Sequence, residues 1–178
     1  FVFITTEALR DSIQDLVAFE TNVKGRTVYV ATVEEIAQTS QGDDLAEKMR
    51  TFLREHYPSS SWGIQDVLLI GHHSDVPMRM VDQSVGYGDP RTDFYFAELS
   101  GPDSESWDSN DNGNYWDDND AADFYTEVNV GRIPWSAPAL VSAICDKSMA
   151  FEMNDDPGFK NNILLCGSFF WEDTDNAV

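Results

Sequence analysis

The sequence predicts an α/β fold: an open, mostly parallel sheet with helices on both faces. Three observations carry that reading. The run Val67-Leu-Leu-Ile70 is continuously apolar and bounded by turn residues, as suits a strand buried on both faces. Short runs rich in apolar and β-branched residues recur along the chain at Phe1–Ile4, Thr27–Thr32, Val128–Ile133 and Asn162–Gly167. Between them lie segments whose apolar residues follow helical spacing, so strands and helices alternate. With 178 residues and a hydrophobic fraction of 42%, residues 1–178 form one domain with a sizeable core.

In chain order, Phe1–Ile4 reads as a buried strand. Thr6 is placed to cap a helix carrying Leu9, Ile13, Leu16, Val17 and Val23 on one face, which Lys24-Gly25-Arg26 ends. Thr27–Thr32 is the second strand, and a helical turn follows over Val33–Ala37. The segment Ser40-Gln-Gly-Asp-Asp44 opens an amphipathic helix with Leu45, Met49, Phe52 and Leu53 inward; Pro58 stops it. After the Val67–Ile70 strand, Gly71-His-His-Ser-Asp-Val-Pro77 leaves its carboxyl end. Thr92–Leu99 reads as extended, and Val128–Ile133 as a strand. Ser136 is placed to cap a helix with Leu140, Ile144 and Met149 inward, and Pro138 is tolerated in its first turn. Asn162–Gly167 is the last strand, followed by a polar loop over 168–178. In such sheets the working loops lie at the carboxyl ends of strands, here after Ile70, after Thr92–Leu99 and after Cys166.

Charge narrows the function. Thirty-two acidic residues against eleven basic give a net charge of -21, which disfavours nucleic acid and anionic membrane as partners. No run approaches the ~20 apolar residues of a membrane span, and no signal peptide is visible. The chain begins without Met inside an apolar run and stops in a polar loop, so it reads as a piece of something longer. Cys145 and Cys166 read as buried free thiols rather than a bridge or a nucleophile.

Eleven of the acids fall between Arg91 and Arg132, a window with no Lys or Arg. Within it, Asp108-x-Asn110-x-Asn112-Gly113 has the register of a calcium loop: side-chain oxygens at positions one, three and five, glycine at six for the sharp turn, and the Asn114 carbonyl at seven. Asn119 stands where a twelfth-position glutamate is standard, and Asp117 is available to close the shell. The competing reading is an ordinary solvated Asx-rich turn. Asp123-x-Tyr125-x-Glu127 leads into the Val128–Ile133 strand; alternation would turn both carboxylates to one side, where they share a cation with a backbone carbonyl or simply face water. His72 and His73, adjacent in extended structure, point opposite ways and read as loop-packing residues rather than zinc ligands. Nucleophile-elbow, dinucleotide and phosphate-loop glycine motifs are absent from the sequence.

Several segments together resemble the gingipain-type cysteine peptidases. They are Thr5-Thr-Glu-Ala-Leu9, Val33-Glu-Glu-Ile36, the run from Val67 to Pro77, T-D-F-Y-F-A-E-L-S-G at 92–101, W-D-S-N-D-N-G at 107–113, D-F-Y-T-E-V-N-V-G-R-I-P at 123–134, and the helix ending near Ala150-Phe-Glu152. The resemblance implies a caspase-like fold in two side-by-side subdomains, with the catalytic pair in the second: a histidine in a Gly-His-Gly context and a cysteine, each after a later strand. Neither motif occurs here, so the chain resembles the N-terminal subdomain of the catalytic domain, with its partners the C-terminal catalytic subdomain of the same chain and a protein or peptide substrate. It further implies a secreted or cell-surface protein, and calcium held by Asp123, Glu127 and the Tyr125 carbonyl. Where the family carries an aspartate after Gly71, this chain has His72, so Asp75 or the 108–117 loop would compensate. Asp173 and Asp175 fall in the region that lines the specificity pocket of Arg-specific members. The expected calcium ligands are therefore Asp108, Asn110, Asn112, Asp117, Asp123, Tyr125 and Glu127; Asp123→Ala or Glu127→Ala is expected to abolish calcium-linked stabilisation, and Asp103→Ala to do little to it. The alternative functions are a non-catalytic calcium-dependent binding or adhesion module on the same fold, and a metal-free small-molecule-binding domain.

Overall fold

The computed structural model describes residues 1–81, 90–123 and 125–162. The expected strand at Asn162–Gly167, its loop, Cys166, Asp173 and Asp175 lie outside the described residues apart from Asn162. The elements are β1 (Val2–Thr5), a 3-10 helix (Glu7–Ile13) running into α1 (Gln14–Asn22), β2 (Tyr29–Thr32), α2 (Val33–Thr39), α3 (Leu45–His56) and β3 (Asp66–Ile70). They continue with a two-residue hairpin pair β4 (Arg79–Met80) and β5 (Arg91–Thr92), then β6 (Asn129–Ile133), α4 (Pro138–Met153) and α5 (Pro157–Lys160).

Four strands form one parallel sheet in the order β2-β1-β3-β6. The continuous apolar character of β1 and β3 follows from their central positions, since side chains on both faces are covered. Val2, Ile4, Val67 and Leu69 face one layer with Val33 and Ile36 of α2 and Met49, Phe52 and Leu53 of α3. Phe3, Ile70 and Ile133 face the other, with Leu9, Ile13, Leu16 and Phe19 before and within α1 and Val141 and Cys145 of α4. The helices thus lie on both faces, as the alternation of patterns predicts.

Local chemistry sets the element boundaries. Thr32 accepts from the Glu35 N–H while Glu35 accepts from the Thr32 N–H, a reciprocal cap that starts α2 directly at the end of β2. Asp44 caps α3 by accepting from the Glu47 N–H at 2.9 Å. Four expectations are corrected. The first helical segment opens as a 3-10 helix without a Thr6 side-chain cap, and Val23 is exposed at its end. Thr92–Leu99 is no strand of the sheet: two residues pair with β4 and a 3-10 turn follows at Phe94–Phe96. Ala137, not Ser136, is the N-cap of α4. The buried stripe of α4 runs through Val141 and Cys145, which leaves Leu140 exposed.

Candidate functional site

The acidic segment is built onto the α2–α3 face of the sheet by a buried ion-pair network. Arg50 projects from α3 with only 1% of its side chain exposed, beside the fully buried Glu98. Its guanidinium donates to Glu98 Oε2 at 3.1 Å, Asp103 Oδ1 at 3.0 Å, Ser106 Oγ at 3.3 Å, and the carbonyls of Glu98, Ser100 and Gly101. Glu98 also accepts from the Trp107 indole N–H and from the Ser100 N–H and hydroxyl. The Tyr95 hydroxyl donates to Asp103. A buried charge persists only when paired and hydrogen-bonded, and here every charge is. Asp103 is therefore not a solvated surface acid but a member of the buried network.

A second arginine adds to this anchor. Arg79 forms a bidentate pair with Asp44 at 2.7 and 2.8 Å and stacks 3.8 Å from the Tyr115 ring centroid and 4.6 Å from that of Tyr95. Burial pushes the Asp44 carboxyl upward, but the hydrogen bonds from Arg79 and the Glu47 N–H outweigh it and hold it below the usual carboxylate range. Burial pushes the Tyr115 hydroxyl up to about 12.

From this base the 108–120 loop leaves Trp107, which is fully buried. Asp108 turns both carboxylate oxygens inward, accepting from the Asn112 N–H at 2.9 Å and the Gly113 N–H at 3.0 Å. Asn110 Oδ1 accepts from the Asn112 N–H, and Asn112 Oδ1 from the Asn114 N–H at 2.7 Å. Gly113 sits at φ +74°, the left-handed region where glycine carries no penalty, so the turn closes as its position in the motif predicts. Asp117 completes the cluster: the amides of Asn110 and Asn112 donate to it at 3.3 and 2.7 Å, and the Asn119 N–H at 2.7 Å. These bonds, led by the Asn112 amide, hold the exposed Asp117 carboxyl below its ordinary range.

Asp120, which the motif reading passes over, braces the loop by accepting from the Ser109 N–H at 2.7 Å and the Asp117 N–H at 2.9 Å. The fold therefore brings Asp108, Asn110, Asn112 and Asp117 together. In donor chemistry they fit a hard cation: carboxylate and amide oxygens without sulfur or imidazole. Cation binding would turn the Asn110 and Asn112 amides to present oxygen where they now present N–H to Asp117.

The other three expected ligands lie apart from alternating strand geometry. Asp123 and Tyr125 precede β6 in irregular structure, so β-alternation does not set their directions. Asp123 accepts from the Tyr125 N–H at 2.8 Å, and the Tyr125 side chain is 81% exposed. Glu127 turns inward, accepting from the Leu99 N–H, while its own N–H donates to the Ala97 carbonyl at 3.0 Å. Among the described residues no group of three or more His, Cys, Asp or Glu side chains gathers as a metal centre.

At the carboxyl ends of the strands the loop after β3 is tied to β6. Arg132 donates twice to Asp93, both at 2.7 Å, and to the carbonyls of Gly71 and Val76. The hydroxyl of Ser136 accepts from the His72 N–H and donates to Asp75, so Ser136 fastens this loop instead of capping α4. Because residues 72–75 form a turn, His72 and His73 do not diverge: their rings lie 4.0 Å apart. Burial, Arg91 and His72 all lower the basicity of His73. The expected packing role fits these contacts; the expected directions do not. Cys145 lies buried on the opposite face, and burial pushes its thiol up to about 11.

A parallel sheet covered on both faces, with its loops gathered at the strand carboxyl ends, defines a caspase-like α/β domain. The family model described as Peptidase family C25 matches residues 1–177, and the chain belongs to that family. No curated protein matches the sequence. Among solved structures it is similar to the complex of Porphyromonas gingivalis RgpB pro- and mature domains. The identity is 19% and the TM-score 0.60, covering 84% of this chain and 28% of that one. The Arg-specific cysteine proteinase gingipain R (RGPB) gives the same values. Dimeric latent PorU from Porphyromonas gingivalis matches at 19% identity and TM-score 0.61, over 85% of this chain and 15% of that one. At that identity the likeness is one of fold, and the chain spans 28% of the RgpB chain it matches. Among the described residues no helix is long and apolar enough to cross a membrane.

Proposed function

We propose that this chain is the calcium-binding N-terminal subdomain of a secreted or cell-surface gingipain-like cysteine endopeptidase whose catalytic histidine and cysteine lie beyond residue 178. The observation that carries the reading is the family match over 1–177 taken with the setting of Cys145. A cysteine nucleophile needs an accessible thiolate with a lowered pKa. Cys145 has the reverse, a thiol on the buried side of α4 raised to about 11.

In the complete enzyme a thiolate attacks the scissile carbonyl and backbone amides stabilise the oxyanion. The residues described here take no part in that bond-making. Their role is to form half of the scaffold and to hold the rim loops through Arg132, Asp93 and Ser136. Asp108, Asn110, Asn112 and Asp117, with Asp123, Glu127 and the Tyr125 carbonyl, are the groups that would hold calcium. Bound there, the ion supplies rigidity and charge neutralisation rather than chemistry.

The test is peptide hydrolysis by the full-length protein. Thiol alkylation should abolish activity while Cys145→Ala retains it. Loss of activity in Cys145→Ala at an unchanged melting temperature would overturn the assignment. Alkylation-insensitive hydrolysis would overturn it equally, and no hydrolysis of any peptide would favour the adhesion-module reading.

A further inference from the structure

The 108–117 loop contains a peptide whose own reactivity the functional reading does not use. Asn112-Gly113 is the only Asn-Gly pair in the chain; every other asparagine precedes a residue with a side chain. In such a pair the backbone nitrogen of the glycine can attack the asparagine carboxamide carbon, because no Cβ hinders its approach. Both residues are exposed, and a Cβ built on Gly113 would meet nothing within 4 Å, so the peptide stands in open space. Both reacting groups are nevertheless held. The Gly113 N–H donates to Asp108 Oδ2 at 3.0 Å, and the Asn112 side-chain amide donates to Asp117 Oδ2 at 2.7 Å. Asn112 Oδ1 in turn accepts from the Asn114 N–H at 2.7 Å. The attacking nitrogen must give up the first of these bonds, and the carboxamide must turn out of the other two.

We propose that Asn112-Gly113 is a self-modification site, a spontaneous deamidation whose rate is set by the hydrogen bonds to Asp108 and Asp117. The Gly113 nitrogen bonds to Asn112 Cγ and passes its proton to solvent, while the Cγ–Nδ2 bond breaks and ammonia leaves with a proton taken from water. Water then opens the succinimide ring at either carbonyl, leaving aspartate or isoaspartate at position 112. The net change consumes water and releases ammonia, so no catalytic residue, cofactor or oxidant is needed. The product alters the loop in a defined way. The amide that donates to Asp117 becomes a carboxylate facing it, and like charges at hydrogen-bond distance repel. Isoaspartate also lengthens the backbone of the turn that Gly113 closes at φ +74°. In the absence of a cation the modified loop should therefore loosen between Asp108 and Asp117. The chemistry needs only the loop and is independent of the peptidase reading.

The experiment is ageing of the full-length protein at neutral pH in EDTA, read by peptide mass spectrometry and by isoaspartyl methyltransferase labelling. Isoaspartate is expected at residue 112 before any other asparagine. Its formation should be at least about tenfold slower in the native protein than in urea, where the loop's hydrogen bonds are gone. Asp117→Ala frees the Asn112 amide and should speed native conversion at least about threefold. Asp108→Ala, which frees the Gly113 N–H, serves if Asp117→Ala does not fold. Asn112→Gln should abolish labelling at this position, because its longer side chain does not close the same ring. Asn112→Asp, the unrearranged product, should speed amide exchange within 109–119 in EDTA. No isoaspartate at 112, or earlier conversion at another asparagine, overturns the site. Native conversion as fast as in urea, or no faster in Asp117→Ala, overturns the control by Asp108 and Asp117. Unchanged amide exchange in Asn112→Asp overturns the effect on the loop.

Discussion

Arg50→Met tests the buried network most directly. The substitution keeps the length and apolar stem of the side chain but removes six hydrogen bonds, two of them to carboxylates. It leaves Glu98, with no exposed side-chain surface, as an uncompensated buried charge. Removing one partner of a buried pair costs about 3–5 kcal/mol. Glu98 retains donors from Trp107 and Ser100, and Asp103 retains the Tyr95 hydroxyl. The lower part of that range, about 3–4 kcal/mol, is therefore expected. For a chain of this size that corresponds to a fall of roughly 6–16 °C in Tm. Urea melts at neutral pH in EDTA measure it without any contribution from a cation. Adding Glu98→Gln to Arg50→Met should recover about 1 kcal/mol or more, since it removes the stranded charge. A loss below about 1 kcal/mol for Arg50→Met, typical of an exposed ion pair, would refute the argument.

Asp44→Asn keeps the cap of α3 but loses the charge that faces Arg79. Because the folded carboxyl sits below its ordinary 3.8, its contribution is present above that value and fades as pH falls through the folded value. Acid titration of stability should thus be shallower below about pH 4 in the variant than in the parent, and parallel slopes would exclude the coupling. Asp108→Ala and Asp123→Ala should separate in EDTA. The first removes a buried carboxylate that accepts from two loop N–H groups and should cost about 1–2 kcal/mol, whereas the second, in exposed chain, should cost less than about 0.5 kcal/mol. With calcium added, both should lose part of the cation-linked rise in Tm, and an unchanged rise in both would remove calcium from the loop.

Much of the sheet was legible because its signals are local. Continuous apolar runs at 2–4 and 67–70 could be buried on both faces only in a parallel sheet, and the Asp44 cap and Pro58 stop bracket α3 without reference to the rest of the fold. The errors share a cause. Leu140 and Val141 are equally apolar neighbours, so periodicity could not tell which of them meets α1. Thr92–Leu99 has strand composition, but its aromatic residues serve a face of the sheet rather than its plane. In the candidate site, the 108–117 register was legible because backbone N–H groups and Asx side chains close the turn within one short segment. Arg50 and Glu98 were not, being 48 residues apart. Yet each left a trace: Arg50 interrupts the apolar stripe of α3 between Ala46 and Leu53, and Glu98 interrupts Phe94–Leu99. A lone charge within an apolar stripe asks for a partner, and each of these was the other's.

That pairing changes how the acidic segment should be understood. If calcium were what gathers residues 98–127, its removal would release the whole segment from the domain. The geometry divides the work instead. Residues 98–107 are fastened chiefly by Arg50 and by the burial of Trp107, neither of which involves a candidate cation ligand; the exception is the Leu99 N–H, which donates to Glu127. Only from Asp108 onward does the chain depend on carboxylates and amides folded around one another at the surface. A cation there would rigidify a loop whose root is already fixed, so its loss should loosen 108–120 while Trp107 stays buried. Chelation should accordingly speed amide exchange within 109–119 and leave 100–107 protected, with Trp107 remaining shielded from quenchers. Simultaneous loss of protection across both stretches would show that the root depends on the cation, and that Arg50 alone is insufficient to hold it.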